Sequence, residues 1–360
     1  MKILFTRFPL ESALGGAEIQ TLSLMEGLQR RGKEVAFAGS CSILLKLCRD
    51  HGIETFEKHI GPPPVTRWEA VSFLWRKKSM RYKLESLLNT FHDTDVIVML
   101  SLTEKLLLTP LALARGMRVF WVEHDKIGAW LRKNPWLPLL RSLSRNVTTI
   151  AVSDLSRKFY EELGWEPDTI VTIPNGIDIN RFAGIVHRES ARDTLFVGTA
   201  ARLSREKGVD LLIEAVRSEG NIDLTIVGRG RDEEYIRGLL DDNPHMRLLC
   251  GETEFKAFFE SIDVFVLPSR EHDPFGLVAA EAMSVGIPTI VTDACGIAGY
   301  LTNEENALIV EAGNVRALQA ALNTLRDPTK RAAIGATGKT FAHEYFTLEK
   351  MIDRYEEVLS

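Results

Sequence analysis

The chain has 360 residues, 45% hydrophobic and 26% charged, with a formal net charge of −5, which is an ordinary globular composition and enough length for two domains rather than one core. Its four cysteines, Cys41, Cys48, Cys250 and Cys295, form no CxxC pair, which excludes a zinc site or a disulfide framework and fits a reducing cytosol. No apolar run approaches the ~18 residues of a membrane span, and the start MKILFTRFPL is too short for a signal peptide, so a cytoplasmic protein is expected.

Lys2-Ile3-Leu4-Phe5 reads as a first strand, and Gly15-Gly16-Ala17-Glu18 opens a helix whose apolar positions Ile19, Leu22, Leu24, Met25 and Leu28 recur at helical spacing. Glu34 to Ala38 is the next strand. This is a Rossmann-like beginning, but without GxGxxG it predicts no dinucleotide site. Residues 67–145 hold 14 Lys and Arg against 7 Asp and Glu, an imbalance that points to an anionic partner surface or to a solvated basic face. Two stretches in this region mix aromatic with basic residues: Trp75-Arg76-Lys77-Lys78 with Arg81, Tyr82 and Lys83, and Gly128 to Arg141 with Trp130 and Trp136. Trp with Arg suits the boundary between lipid headgroups and acyl chains, whereas an amphipathic core helix with a solvated basic side accounts for the same pattern, and both readings stand. Asp95 to Leu100 and Arg118 to Val122 are strands, the second running into Glu123-His124-Asp125. A histidine just past a strand end in an α/β sheet stands at the ligand face. Thr149 to Ser153 is a strand, with Ser153 or Asp154 capping a helix to Leu163. Pro174-Asn175-Gly176 marks a turn, and residues 183–193 read as connection.

Leu195 to Ala200 is a strand ending in a loop with Arg202 and Lys207, and a helix with Leu211, Leu212, Ile213, Ala215 and Val216 follows. Two cations beside a helix N-terminus suit a pyrophosphate, whose charge they neutralise. Leu224 to Val227 leads to Gly228-Arg229-Gly230, again strand into glycine loop. Val264 to Leu267, closed by Pro268 and Ser269, is a strand buried on both faces. Phe275 to Met283 has helical spacing, Gly286-Ile287-Pro288 stops that helix, and Thr289 to Val291 begins another strand. The N-terminus of such a helix offers unpaired N–H groups and a positive dipole end to an anion, and Asp273 to Val278 sits there. Seven residues separate Asp273 from Glu281, which places one carboxylate at the loop mouth and the other about two turns into the helix. A helix runs from Val315 to about Arg326, and Phe346 to Leu359 is amphipathic.

These segments resemble the retaining glycosyltransferases of family 4, whose signature is two glutamates with seven residues between them around Pro-Phe-Gly. The likeness covers nearly the whole chain and is densest from 195 to 310. It implies an α/β chain of the GT-B type: two Rossmann-like doubly wound domains facing across a cleft, with a C-terminal helix crossing back to the first. The expected division is 1–175 plus 346–360 for the acceptor domain and 176–345 for the sugar-nucleotide domain. Carried over residue by residue, the resemblance gives Arg202 and Lys207 to the donor diphosphate, Glu281 to the nucleotide ribose and His124 and Asp273 to the donor sugar. Gly15 and Gly16 let the backbone approach the donor phosphates and acceptor, Gly228 lies near the base, and Phe275, Gly276, Leu277 and Val278 complete the donor site. Asp273 departs from the family's glutamate by one methylene, and Glu271, two residues earlier, is the alternative carboxylate. The implied activity is transfer of a hexosyl group from a nucleoside-diphosphate sugar, the co-substrate, to a hydroxyl of a glycan or glycolipid in cell-envelope synthesis. No cofactor, no metal and no nucleic acid are expected, and an anionic membrane surface is a further expected partner. A GT-B-fold sugar-nucleotide epimerase and a binding protein without turnover are the alternatives.

Overall fold

The structure, a computed structural model, describes residues 1–10, 15–124, 129–185, 193–241, 243–250 and 255–360, the side chains of Ala129 and Trp130 excepted. Asp125, Gly128 and most of the 183–193 connection therefore lie outside the described residues. The chain forms two compact units: Met1–Pro174 with Met351–Ser360, and Asn175–Lys350.

The first unit is built on seven strands, β1 (Lys2–Arg7), β2 (Glu34–Gly39), β3 (Glu54–Glu57), β4 (Val96–Met99), β5 (Arg118–Glu123), β6 (Thr148–Ala151) and β7 (Ile170–Thr172). They pair in parallel in the order β3-β2-β1-β4-β5-β6-β7. The order turns back on itself between β1 and β4, and ligands of doubly wound sheets collect beyond the carboxyl ends of strands at such a switch. Runs such as Ile3-Leu4-Phe5 and Val96-Ile97-Val98-Met99 are wholly buried because helices cover both faces of the sheet. The helix Arg67–Thr90 contributes Phe73, Met80, Leu84, Leu87 and Leu88 to this core. Leu131, Leu137 and Leu140 join it as well, and the Trp136 ring meets Phe73 edge-on at 5.0 Å. Much of the second aromatic and basic stretch is thus core, since these leucines join this cluster and Trp136 packs on Phe73 of the Arg67–Thr90 helix.

The terminal helix Leu348–Leu359 buries Ile352, Tyr355 and Leu359. Ile352 fills the space left by Gly27 on the helix Gly16–Arg30, where a Cβ would fall 2.2 Å from its Cδ1. Arg31 donates to Asp353 at 2.5 Å and to Glu356 at 2.9 Å, which ties Met351–Ser360 to that helix.

The second unit carries β8 (Leu195–Ala200), β9 (Ile222–Val227), β10 (Met246–Leu249), β11 (Val264–Leu267), β12 (Thr289–Thr292) and β13 (Leu308–Val310). Their parallel order is β10-β9-β8-β11-β12-β13, with the switch between β8 and β11. Among the described residues no helix is long and apolar enough to cross a membrane.

Two sequence expectations shift by local geometry. The helix expected from Phe275 begins at Leu277, because Gly276 is left-handed at φ +106° and Phe275 instead stacks edge-on against Phe346 at 5.3 Å. Ile19, expected on the apolar face of its helix, is exposed.

Candidate active site

In the second unit the loops after β8 and β11 are sewn together at the switch. Gly208, at φ +65°, lies so close to β11 that a Cβ there would fall 2.0 Å from the Pro268 carbonyl oxygen. The Arg270 N–H donates to the Glu206 carbonyl at 2.9 Å, and Arg270 pairs with Asp210 at 2.6 Å. This stitching delivers Lys207 to Asp273, with Nζ donating to Oδ2 at 2.6 Å. The Ser269 hydroxyl donates to the same oxygen at 3.1 Å. The backbone of Asp273 is equally fixed: its N–H donates to the Ala294 carbonyl at 2.9 Å, and its carbonyl accepts from Gly296 at 2.9 Å. Asp273 is buried, which by itself would raise its carboxyl, but the charge and hydrogen bond of Lys207, with the Ser269 hydroxyl, hold it below the usual carboxylate range.

Arg202 stands two residues past the carboxyl end of β8, its carbonyl accepting from the Ser204 N–H at 2.9 Å and its side chain exposed, with no ion pair to a described residue. The two cations read from the sequence thus differ. Lys207 is half-buried and engaged, and Arg202 is in solvent. Glu271 is exposed, its N–H donating to the Glu206 carbonyl at 3.3 Å.

Helix Leu277–Ser284 starts immediately after this cluster, and the first-turn N–H groups of Leu277 and Val278 have no carbonyl within the helix. Gly276 is obligatory here: besides its φ, a Cβ would fall 2.9 Å from Leu267 Cδ2 and 3.2 Å from Ile297 Cγ2. One turn further, burial pushes the Glu281 carboxyl up to about 7, opposed by Arg181, which reaches it at 3.4 Å. Gly228 serves a packing purpose, since a Cβ would fall 2.0 Å from the Ala201 carbonyl oxygen. The loops after β8 and β9 lie back to back there, with Leu203 donating to the Arg229 carbonyl at 2.8 Å. Cys295, beside Asp273, is buried and its thiol is pushed up to about 12, mainly by that burial, so it is no nucleophile.

In the first unit Gly15 is the extended N-cap, and Gly16 the first residue, of the helix Gly16–Arg30. Both are exposed. Glu18, in the first turn, forms a buried ion pair with Arg7 at the end of β1, at 2.8 Å. His124 follows β5, half-buried. Its predecessor Glu123 accepts from buried Lys105 at 2.7 Å and from the Tyr160 hydroxyl at 2.7 Å. Glu104, behind it, closes a capping box with Ser101, and burial pushes its carboxyl up to about 7 against the opposing Ser101 hydroxyl and N–H groups. None of Arg7, Lys105, Tyr160 or Arg181 was readable as a site residue. Arg7 ends a buried strand and Lys105 sits in an apolar helix, charges that only tertiary pairing makes meaningful, while Tyr160 and Arg181 carry no local signal.

Two family models match the chain: Glycosyltransferase Family 4 over residues 14–181 and Glycosyl transferases group 1 over residues 185–341. A lipopolysaccharide core biosynthesis glycosyltransferase, LpsD of Rhizobium meliloti, is 31% identical over 265 residues, 67% of this chain and 76% of the relative. The chain belongs to glycosyltransferase family 4. A second relative of the glycosyltransferase is the GDP-mannose-dependent monoacylated alpha-(1-6)-phosphatidylinositol monomannoside mannosyltransferase of Corynebacterium glutamicum, 28% identical, covering 56% of this chain and 59% of the relative. Among solved structures, Anabaena HepE in complex with UDP superposes with a TM-score of 0.83 at 20% identity, covering 100% of this chain and 99% of that one. The cyanobacterial sucrose-phosphate synthase of Thermosynechococcus elongatus gives 0.81 at 18% identity, covering 99% and 98%. This establishes the GT-B architecture of two Rossmann-like domains. The relatives' names are those of transferases, which disfavours the epimerase and binding-only alternatives.

Proposed function

We propose that this glycosyltransferase moves a hexosyl group from a nucleoside-diphosphate sugar to a hydroxyl of a cell-envelope glycan or glycolipid, with retention at the anomeric carbon. The observation that carries the reading is the Lys207–Asp273 pair at the β8/β11 switch, set against the open first turn of the helix Leu277–Ser284. A diphosphate at this point would meet Lys207, the exposed Arg202 and the helix N–H groups, all positive, as its charge grows on departure. That positive set makes the scheme metal-independent.

Asp273 then has two duties. It holds Lys207 in place through the ion pair, and its second oxygen is available to a donor-sugar hydroxyl. Glu281, once ionised, accepts from the ribose hydroxyls. The acceptor oxygen attacks the anomeric carbon from the face the diphosphate leaves, the bond to the diphosphate oxygen breaks, and that oxygen takes the acceptor proton. The names of the relatives support the envelope setting, with one in lipopolysaccharide core synthesis and one mannosylating a phosphatidylinositol mannoside, and HepE was crystallised with UDP-glucose. The test is nucleoside-diphosphate release from UDP-, GDP-, ADP- and dTDP-sugars, with and without truncated lipopolysaccharide or glycolipid acceptors, in the presence of a chelator. Acceptor-dependent release from one donor, unchanged by the chelator and giving a product of unchanged anomeric configuration, is expected. Epimerised donor, or no release from any donor, would refute the reading.

A further inference from the structure

The helix Arg67–Thr90 has two unlike faces. Phe73, Met80, Leu84 and Leu87 point into the core. At about 100° per residue, Trp68, Val71, Trp75 and Tyr82 fall within an arc of about 60° on the opposite side. All four are exposed, and the three rings are 75%, 74% and 75% accessible. From Trp68 to Tyr82 the stripe runs about 21 Å along the axis. None of the three rings stacks on another ring or meets a cation among the described residues.

The charges around the stripe have one sign. The helix holds six Lys and Arg against two Asp and Glu on a chain whose net charge is −5. Glu69 is consumed by Arg76, Lys77 lies over the Trp136 ring at 5.3 Å, and Lys83 donates to the His59 carbonyl at 3.2 Å. Arg67, Lys78 and Arg81 remain exposed and form no ion pair among the described residues, flanking the aromatic stripe, and Glu85 is the one other acid of the helix.

We propose that this face docks the first unit on an anionic lipid bilayer. Trp and Tyr carry an apolar body and a polar tip and settle at headgroup depth, while the long Lys and Arg side chains reach the phosphates around them. A helix with an aromatic face and a basic flank lies in the plane of the interface rather than across it. A protein partner is the poorer match, because interface cores are depleted in Lys, and Lys78 borders the stripe between Trp75 and Tyr82.

The whole protein is tested by flotation with phosphatidylcholine vesicles containing about one-third phosphatidylglycerol, at low and high salt. Binding to these vesicles but not to phosphatidylcholine alone, weakened by salt, is expected. Trp68→Ala/Trp75→Ala/Tyr82→Ala and Lys78→Glu/Arg81→Glu should each lower the partition coefficient about tenfold or more. Arg316→Glu/Lys330→Glu, the same charge change on exposed residues of the second unit, should leave it unchanged. Circular dichroism and thermal unfolding should match the wild type in all variants, since the altered side chains are exposed. No wild-type binding at low salt, an equal loss in the control variant, or unchanged binding in the stripe variants would overturn the proposal. So would a wild-type dimer in sedimentation that the aromatic substitutions dissociate.

Discussion

Lys207 and Asp273 can be separated by a double-mutant cycle. Lys207→Ala leaves the buried Asp273 carboxylate with the Ser269 hydroxyl as its side-chain donor, and Asp273→Ala leaves a largely buried ammonium without its acid. Stranding one member of a buried pair costs about 3–5 kcal/mol. At roughly 2–4 °C per kcal/mol for a domain of this size, each single variant should unfold about 6–20 °C earlier. Removing both strands neither charge, so the double variant should be less destabilised than the sum of the singles, by about 0.5–3 kcal/mol. The carboxyl is held low in the folded state, so the stability it confers is present above its unfolded pKa and is lost as pH falls through the folded value. The difference between wild type and Asp273→Ala should therefore shrink in acid. Thermal unfolding without nucleotide, near neutrality and again at low pH, reads all of this. Strict additivity of the two single effects would show that the pair does not couple and that its geometry does not organise the site.

Other perturbations separate binding from folding. Arg202→Ala, on an exposed side chain, should leave the melting temperature within about 1 °C and lower turnover about a hundredfold, whereas wild-type turnover would remove Arg202 from the diphosphate site. Gly276→Ala should cost about 1–3 kcal/mol from the forced positive φ and the clash with Leu267, measured by denaturant unfolding, and a neutral result would contradict the turn geometry. Glu281 is raised from an ordinary 4.5 to about 7, so the stability gained by keeping it neutral is full below 4.5 and lost as pH rises through 7. Glu281→Gln should accordingly melt higher than wild type in mildly alkaline buffer, with the gap closing toward mild acid, and a pH-independent gap would argue against a buried neutral carboxyl. Lys105→Met strands Glu123 with the Tyr160 hydroxyl and should cost about 3–5 kcal/mol in thermal unfolding. A loss below about 1 kcal/mol would mean that Glu123 is solvated.

Much of the sheet architecture was legible because a strand buried on both faces must be a continuous apolar run, as in Val264 to Leu267, and the shortness of the run with Pro268 behind it separates it from a buried helix. Ser153 capping the helix Asp154–Glu162 was legible for a similar reason, since its side chain accepts from Ser156 and few residue types can do that. The edge strand β3, Glu-Thr-Phe-Glu, was not, because an edge strand need not be apolar. The start of the helix at Leu277 was misjudged because Phe275 fits the helical period, yet its ring is used by Phe346, more than seventy residues away in the chain. The same limit applies to the site. Sequence spacing placed Lys207 and Asp273 each at a strand end, but their contact depends on Gly208 riding over Pro268, and the Arg181–Glu281 and Lys105–Glu123 pairs depend on folds of the chain that no local pattern encodes.

The most direct measurement is calorimetric titration of UDP-, GDP-, ADP- and dTDP-sugars into the wild type and into Arg202→Ala/Lys207→Ala. One donor class should bind the wild type at one site per chain, and the same donor should bind the folded double variant at least about a hundredfold more weakly, since two charge-assisted contacts are lost. Equal affinity for both proteins, or no nucleotide sugar bound by the wild type, would contradict a donor site at the β8/β11 switch.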